Sequence, residues 1–179
     1  CVESVLDTKG GFEVELLVVE NGSEKRETFD YYEELEQTGK ARILHYKGDF
    51  NYSAANNLGA RHAAGDVLLF LNNDVRAAEE GWLTAMAEHA MRPSVGAVGA
   101  KLLYADGTVQ HAGVVVGMNG WADHVCAGLP ADGGGRFAAS HIVNTVRNVS
   151  AVTGACMMVE KCKFDAAGGF DERFTLCGS

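Results

Sequence analysis

The residues best equipped for chemistry in this chain stand directly after apolar runs. Val67-Leu68-Leu69-Phe70-Leu71 is closed by Asn72-Asn73-Asp74, and the mostly apolar stretch Val14 to Val19 is closed by Glu20-Asn21-Gly22-Ser23. Amides and hydroxyls in such positions suit a base and a ribose. A lone carboxylate suits a divalent cation, and a hard cation that bridges a diphosphate takes only one or two carboxylates from the protein. Asp74 alone has a plainer use as the cap of the helix that follows. Two polar clusters, each at a strand end and expected to line one crevice, favour a ligand, with Asp74 as the metal-binding residue.

The elements that must position these groups follow from the apolar pattern. Five apolar residues without alternation predict a strand covered on both faces, as in the centre of a parallel sheet. In open α/β sheets ligands bind beyond the carboxyl ends of the strands, which is where both clusters fall. Phe29, Tyr32 and Leu35 recur at helical spacing with Gly39 as the stop, and Arg42 to Tyr46 reads as a strand. Ser53 is the expected N-cap of a helix through Ala64, with Gly65 as its left-handed C-terminal residue. A further helix is expected to open at Glu79-Glu80 and to end at Arg92-Pro93. Alternating strands and helices predict an α/β fold with a doubly wound, mostly parallel sheet and right-handed crossovers.

Beyond Pro93 the pattern changes. Val95 to Tyr104 and Thr108 to Met118 read as extended stretches around an Ala105-Asp106-Gly107 turn, and the second contains Gln110-His111-Ala112-Gly113. Asn119 to Ser140 is glycine-dense and aperiodic, as expected of a mobile lid or acceptor-binding loop. Val149 to Glu160 resumes as strand, Lys161 to Ala167 as a short helix, and Gly168-Gly169-Phe170-Asp171-Glu172 as a carboxylate-rich turn. The expected organisation is one domain over 1–179, with a nucleotide-binding half at 1–93 and a smaller mixed acceptor-side region at 94–179.

Charge and motif tests exclude several classes. A net charge of -9 repels a phosphodiester backbone, so no nucleic-acid partner is expected. No apolar run approaches the roughly 20 residues of a transmembrane segment. Five scattered cysteines, Cys1, Cys126, Cys156, Cys162 and Cys177, contain no C-x-x-C pair, and they fit a reduced cytoplasm better than a disulfide framework or zinc site. Gly96-Ala97-Val98-Gly99-Ala100-Lys101 fails as a P-loop, and no G-x-G-x-x-G follows the first strand. The six histidines show no H-x-x-x-H spacing, and His111 and His124, near the expected lid, stand out among them. Cys156 reads as a small core hydrophobe.

Taken in order, these segments resemble the family 2 glycosyltransferases of the GT-A fold, in particular bacterial rhamnosyltransferase-like members. The resemblance rests on Leu17-Val18-Val19-Glu20-Asn21-Gly22-Ser23, Asn51-Tyr52-Ser53-Ala54-Ala55-Asn56-Asn57-Leu58-Gly59-Ala60-Arg61, Leu69-Phe70-Leu71-Asn72-Asn73-Asp74, Gln110-His111-Ala112-Gly113, Val152-Thr153-Gly154-Ala155-Cys156 and Gly168-Gly169-Phe170-Asp171-Glu172. It implies transfer of a sugar, with inversion, from a nucleotide diphosphate sugar to a glycan or lipid-linked glycan, in the cytoplasm and at the inner face of the membrane through that acceptor. It places Glu20, Asn21, Ser23, Asn57, Asn72 and Asn73 on the nucleotide and Asp74 on Mg²⁺ or Mn²⁺. His111, Gly154, Ala155, Asp171 and Glu172 fall on the acceptor side.

The chain departs from the family pattern in two ways. Glu20 stands where Asp is usual, and the usual Asp-x-Asp triplet is Asn72-Asn73-Asp74. The family pattern also has a strand before Cys1 and a general base shortly after Gly-Gly-Phe-Asp-Glu. On this reading the base is expected beyond Ser179, no catalytic base is expected within the chain, and the chain is expected to be a feeble catalyst alone. A nucleotidyltransferase and a non-catalytic nucleotide-sugar-binding module are the rival readings.

Overall fold

The computed structural model describes residues 1–135 and 137–175. In chain order its elements are α1 (Val2–Thr8), β1 (Leu17–Glu20), α2 (Arg26–Gln37), β2 (Arg42–His45), α3 (Tyr52–His62), β3 (Val67–Leu71), α4 (Trp82–Ala90), β4 (Val98–Gly99), β5 (Leu102–Leu103), β6 (Val109–His111), β7 (Val114–Val116), a 3₁₀ turn (Met118–Gly120), β8 (Ala122–His124), α5 (Phe137–Asn144), β9 (Cys156–Glu160) and α6 (Lys161–Ala167). They form two compact units, each drawn from two stretches of chain.

The first unit comprises Gly11–Leu68 and the chain from Glu160 onward. Here β1 and β2 pair in parallel, from Leu17 opposite Arg42 to Glu20 opposite His45. Between them α2 buries Leu35 and closes on Gly39. Lys40 N donates to Leu35 O and Gly39 N to Glu36 O, the paired bonds of a Schellman stop, and the positive φ of Gly39 makes them possible. The small residues of α3 allow close packing, since a Cβ on Gly59 would lie 3.4 Å from the Val19 side chain on β1. α6 buries Phe164 and ends at Gly168, also at positive φ.

The second unit comprises Cys1–Gly10 and Leu69–Val159. α1 buries Val5 and is tied to α4 and the segment before it by side chains: Ser4 Oγ accepts from Ala77 N at 3.1 Å, and Trp82 Nε1 donates to Thr8 Oγ1 at 2.9 Å. α4 buries Leu83, Met86 and Ala90, and β9 contributes Cys156, Met158 and Val159 to the core. The sheet order is β3-β9-β4, with β9 antiparallel to β4. The pairs β5-β6 and β7-β8 are both antiparallel.

Several expectations are corrected. Among the described residues the assigned ladders fall into four sheets, and β3 lies at an edge of its three-stranded sheet with Leu68 and Phe70 alternately buried. The α3 cap is Asn51, whose Oδ1 accepts from Ala54 N at 2.9 Å; Ser53 falls inside the helix. The helix ends at Ala63 in extended geometry, without Gly65 as a left-handed stop. α4 starts at Trp82 from a left-handed Gly81, after Glu79-Glu80. The strand expected over Val95 to Tyr104 is two two-residue pieces, and that over Val149 to Glu160 begins only at Cys156. The aperiodic stretch Asn119 to Ser140 contains β8 and the start of α5, so a structureless lid is not what forms there. Cys177 lies outside the described residues.

Candidate functional site

At the end of β1 the polar cluster closes on itself. Glu20 is 9 % exposed, and its Oε1 accepts from Ser23 N at 2.7 Å while Oε2 lies 3.1 Å from His45 Nδ1 on β2. The Ser23 N–H first, and then His45, hold the Glu20 carboxyl below its ordinary range. Asn21 Nδ2 donates to Tyr46 O and Gly48 O, at 3.1 and 3.0 Å, so the loop after β2 is pinned to the loop after β1. Ser23 Oγ lies 3.5 Å from the Tyr32 hydroxyl.

A second arrangement ties α3 to the turn after α6. Asn57, expected at the nucleotide, is buried; its Nδ2 donates to Phe170 O and to Glu172 Oε1, each at 2.9 Å, and its Oδ1 accepts from Phe170 N at 2.9 Å. Both amide hydrogens and the carbonyl are thus used inside this unit. Asn51 adds a bond from Nδ2 to Glu172 O at 2.8 Å. Gly169 is required here twice over, by its positive φ and because a Cβ would lie 2.7 Å from Asn57 Oδ1. Phe170 packs edge-on against Tyr52 and Phe164. Burial pushes the Tyr52 phenol up to about 12. Of the two turn carboxylates, Asp171 is bonded by Arg173 Nε at 2.9 and 3.1 Å, which holds it at about 2. Glu172 takes the Asn57 bond with Arg61 at 3.9 Å.

The end of β3 is different. Asn72 N donates to Ala155 O at 2.9 Å, which sets Ala155, expected on the acceptor side, beside the strand end carrying Asn72-Asn73-Asp74. Thr153 Oγ1 in turn accepts from Ala155 N at 3.3 Å, next to Gly154. Asn73 and Asp74 are exposed, and among the described residues neither side chain makes a hydrogen bond or an ion pair. Among the described residues no three of His, Cys, Asp and Glu are grouped to hold a metal unaided.

His111 occupies a site built by β5, β6 and β8. It is 1 % exposed, its Nδ1 lies 3.0 Å from His124 Nδ1, and the two rings meet edge-on. Burial first, then the neighbouring His124 and Arg147, push His111 down to about 4, so it is neutral at ordinary pH. A Cβ on Gly99 would lie 3.2 Å from His111 Nε2 and 2.7 Å from Val152, so only glycine leaves room there. Asp123 is held below its usual range by Asn119, which donates to Oδ2, and by the His124 N–H on Oδ1, both at 2.7 Å. Burial pushes the Cys156 thiol up to about 11, in keeping with a core residue rather than a nucleophile.

Sequence reasoning missed Asn51, Asp123 and the role of His124. Asn51 is a cap by type, yet its tie to Glu172 joins residues 121 apart in the chain and exists only in the fold. His124 sits in the aperiodic stretch, where nothing local announces the three-residue strand that carries it.

Residues 1–115 match the family described as glycosyl transferase family 2. The O-antigen biosynthesis protein RfbC of Myxococcus xanthus is 47 % identical over 167 residues, covering 92 % of this chain and 13 % of that protein. The uncharacterized protein y4gI of Sinorhizobium fredii is 40 % identical over 172 residues, covering 96 % of this chain and 19 % of that protein. The chain therefore spans less than a fifth of the length of either relative. From the match over residues 1–115 and these identities, the chain belongs to glycosyl transferase family 2.

Proposed function

We propose that this chain acts in an inverting glycosyltransferase that moves a sugar from a nucleotide diphosphate sugar to a glycan or lipid-linked glycan. The observation that carries the reading is the bare carboxylate of Asp74, exposed beside the Asn72 and Asn73 amides at the end of β3, in a chain of this family. Asn72 and Asn73 are assigned to the ribose and diphosphate, and Glu20, with Asn21 and Ser23, to the base. The fold is assigned to the GT-A type on family membership and strand-helix order, with 1–93 serving the donor and 94–179 the acceptor.

Asp74 fits Mg²⁺ or Mn²⁺, since it offers an exposed, charged oxygen donor that no neighbour among the described residues uses, and hard cations take oxygen ligands. When bound there, such a cation supplies positive charge to the departing diphosphate. Asn57 is assigned a positioning role, because its amide is consumed in holding the Gly168–Glu172 turn. His111, Gly154, Ala155, Asp171 and Glu172 are assigned to the acceptor side. The name of the relative that acts in O-antigen biosynthesis supports a glycan acceptor. Free cysteines at 1, 126, 156 and 162 support a reducing, cytoplasmic setting, where a lipid-linked acceptor would be met at the inner membrane face.

Thermal denaturation with nucleoside diphosphates, nucleotide sugars and nucleoside triphosphates, each with and without Mn²⁺, tests the assignment. Stabilisation by diphosphates that requires Mn²⁺ and disappears in Asp74→Asn is the expected result. Stabilisation that survives Asp74→Asn removes Asp74 from the site, and preference for triphosphates favours a nucleotidyltransferase.

A further inference from the structure

The geometry points to a second ligand pocket, centred on the His111–His124 pair, that holds one neutral sugar ring through His124 Nε2 and the side chains of Tyr104, Gln110 and Thr153. The class of ligand rests on the glycosyltransferase reading; the pocket itself lies within the unit formed by Cys1–Gly10 and Leu69–Val159.

Its volume is about 240 Å³, with Tyr104, Gln110, Asp123 and Thr153 beside the two histidines and the apolar Leu102 and Ala127 also in the lining. This lies below the roughly 300–1,000 Å³ of pockets for drug-sized ligands, so it suits a single ring rather than a whole nucleotide sugar. Among the described residues no Lys or Arg lines it, and Asp123 adds negative charge, so the described lining lacks the cationic fork that phosphate recognition uses. What it presents is a mixture of neutral donors and acceptors. The Gln110 and Tyr104 side chains make no hydrogen bond among the described residues, and Thr153 keeps its O–H after accepting from Ala155 N.

The histidine pair sets the pattern. A neutral imidazole carries one proton, and the 3.0 Å approach of the two Nδ1 atoms accommodates one hydrogen between them. The ring that donates it has a bare Nε2, and the ring that accepts it carries its own proton on Nε2. One Nε2 of the pair is therefore a donor and the other an acceptor, and neither is bonded to a described residue. Burial keeps His111 neutral and so preserves this arrangement. A sugar hydroxyl both donates and accepts, so it matches His124 Nε2 in either tautomer. His111 acts through His124 and is a positioning residue.

Two-bond ¹H–¹⁵N spectra of the imidazoles in the ¹⁵N-labelled chain test the proposal. At pH 7 His111 and His124 should show opposite tautomers. Methyl glycosides of neutral hexoses and deoxyhexoses should shift His124 Nε2, whereas inorganic phosphate should not. His124→Phe should abolish sugar binding and Gln110→Ala should weaken it about tenfold, the worth of one hydrogen bond, with the melting temperature held. His111→Leu should change the His124 tautomer signature, and His111→Asn, whose amide can donate or accept there, should recover it. Identical tautomers, the absence of a glycoside-induced shift, or an equal response to phosphate would overturn the pocket. The Mn²⁺-dependent diphosphate titration of the same sample judges the transferase reading separately. Nucleotide binding without sugar binding removes only the pocket, and sugar binding without nucleotide binding keeps the pocket and removes the transferase assignment.

Discussion

The polar residues after β1 and those after β3 look alike in sequence and are used in opposite ways. Glu20 is buried, accepts the Ser23 N–H and meets His45, and Asn21 spans to the loop after β2. Asn73 and Asp74 are exposed and spend none of their side-chain groups on the described residues. A carboxylate already bonded is fixed in place and presents the rest of its loop in one conformation. A bare carboxylate keeps its lone pairs for a ligand, at no cost to the fold when it is changed. Asn57 belongs with Glu20 in this respect, since its burial and three bonds make it a strut of the Gly168–Glu172 turn.

The comparison predicts a graded series of effects. Asn57→Leu leaves the Phe170 N–H and carbonyl without their partner and should cost about 3 kcal/mol in denaturant unfolding. A loss below 1 kcal/mol would mean that the amide is not a strut. Glu20→Ala strands the Ser23 N–H and should cost about 2 kcal/mol; if it were silent, the contrast between the two strand ends would fail. Asp74→Asn should leave unfolding within about 0.5 kcal/mol of the parent while eliminating Mn²⁺-dependent diphosphate binding. An Asp74→Asn cost matching that of Glu20→Ala would show that Asp74 is structural after all.

The pH dependence of stability separates the groups further. His111 has its folded value depressed from 6.5 to about 4, so between those values the unfolded chain binds a proton that the folded chain refuses. Its contribution is complete above pH 6.5 and is lost as pH falls toward 4. Glu20 is also depressed, so its contribution is present above the ordinary carboxylate value and is lost as pH falls through its lowered one. Urea midpoints measured from pH 8 to pH 3 should fall in two stages. His111→Asn should flatten the upper stage and Glu20→Gln the lower.

The first half of the chain was readable because its signals are local. Apolar runs gave β1, β2 and β3 their places within a few residues, and the Leu35 to Gly39 ending of α2 carries its stop in its own sequence. The Asn51 cap was not readable. Asn and Ser are comparable caps by type, and in the fold Asn51 caps the helix while its Nδ2 also bonds Glu172 far along the chain. Ser53 consequently sits inside α3 with its hydroxyl buried and unpartnered among the described residues. The second half was less readable because its strands are two or three residues long, too short for periodicity to register. Gly113 and Gly117, at positive φ, interrupt what read as one extended stretch.

Sequence by itself determined the family, the order of its motifs and the side chains able to do chemistry, because those depend on residue type and spacing along the chain. Only the tertiary structure decided which of those side chains are free. Asn57 and Glu20 are spent on neighbours that folding brings to them, His111 is paired with a histidine from an unannounced strand, and Asp74 is left bare. Hydrogen-bond partners are set by packing across distant segments, and residue type alone cannot say whether a donor or acceptor is already occupied.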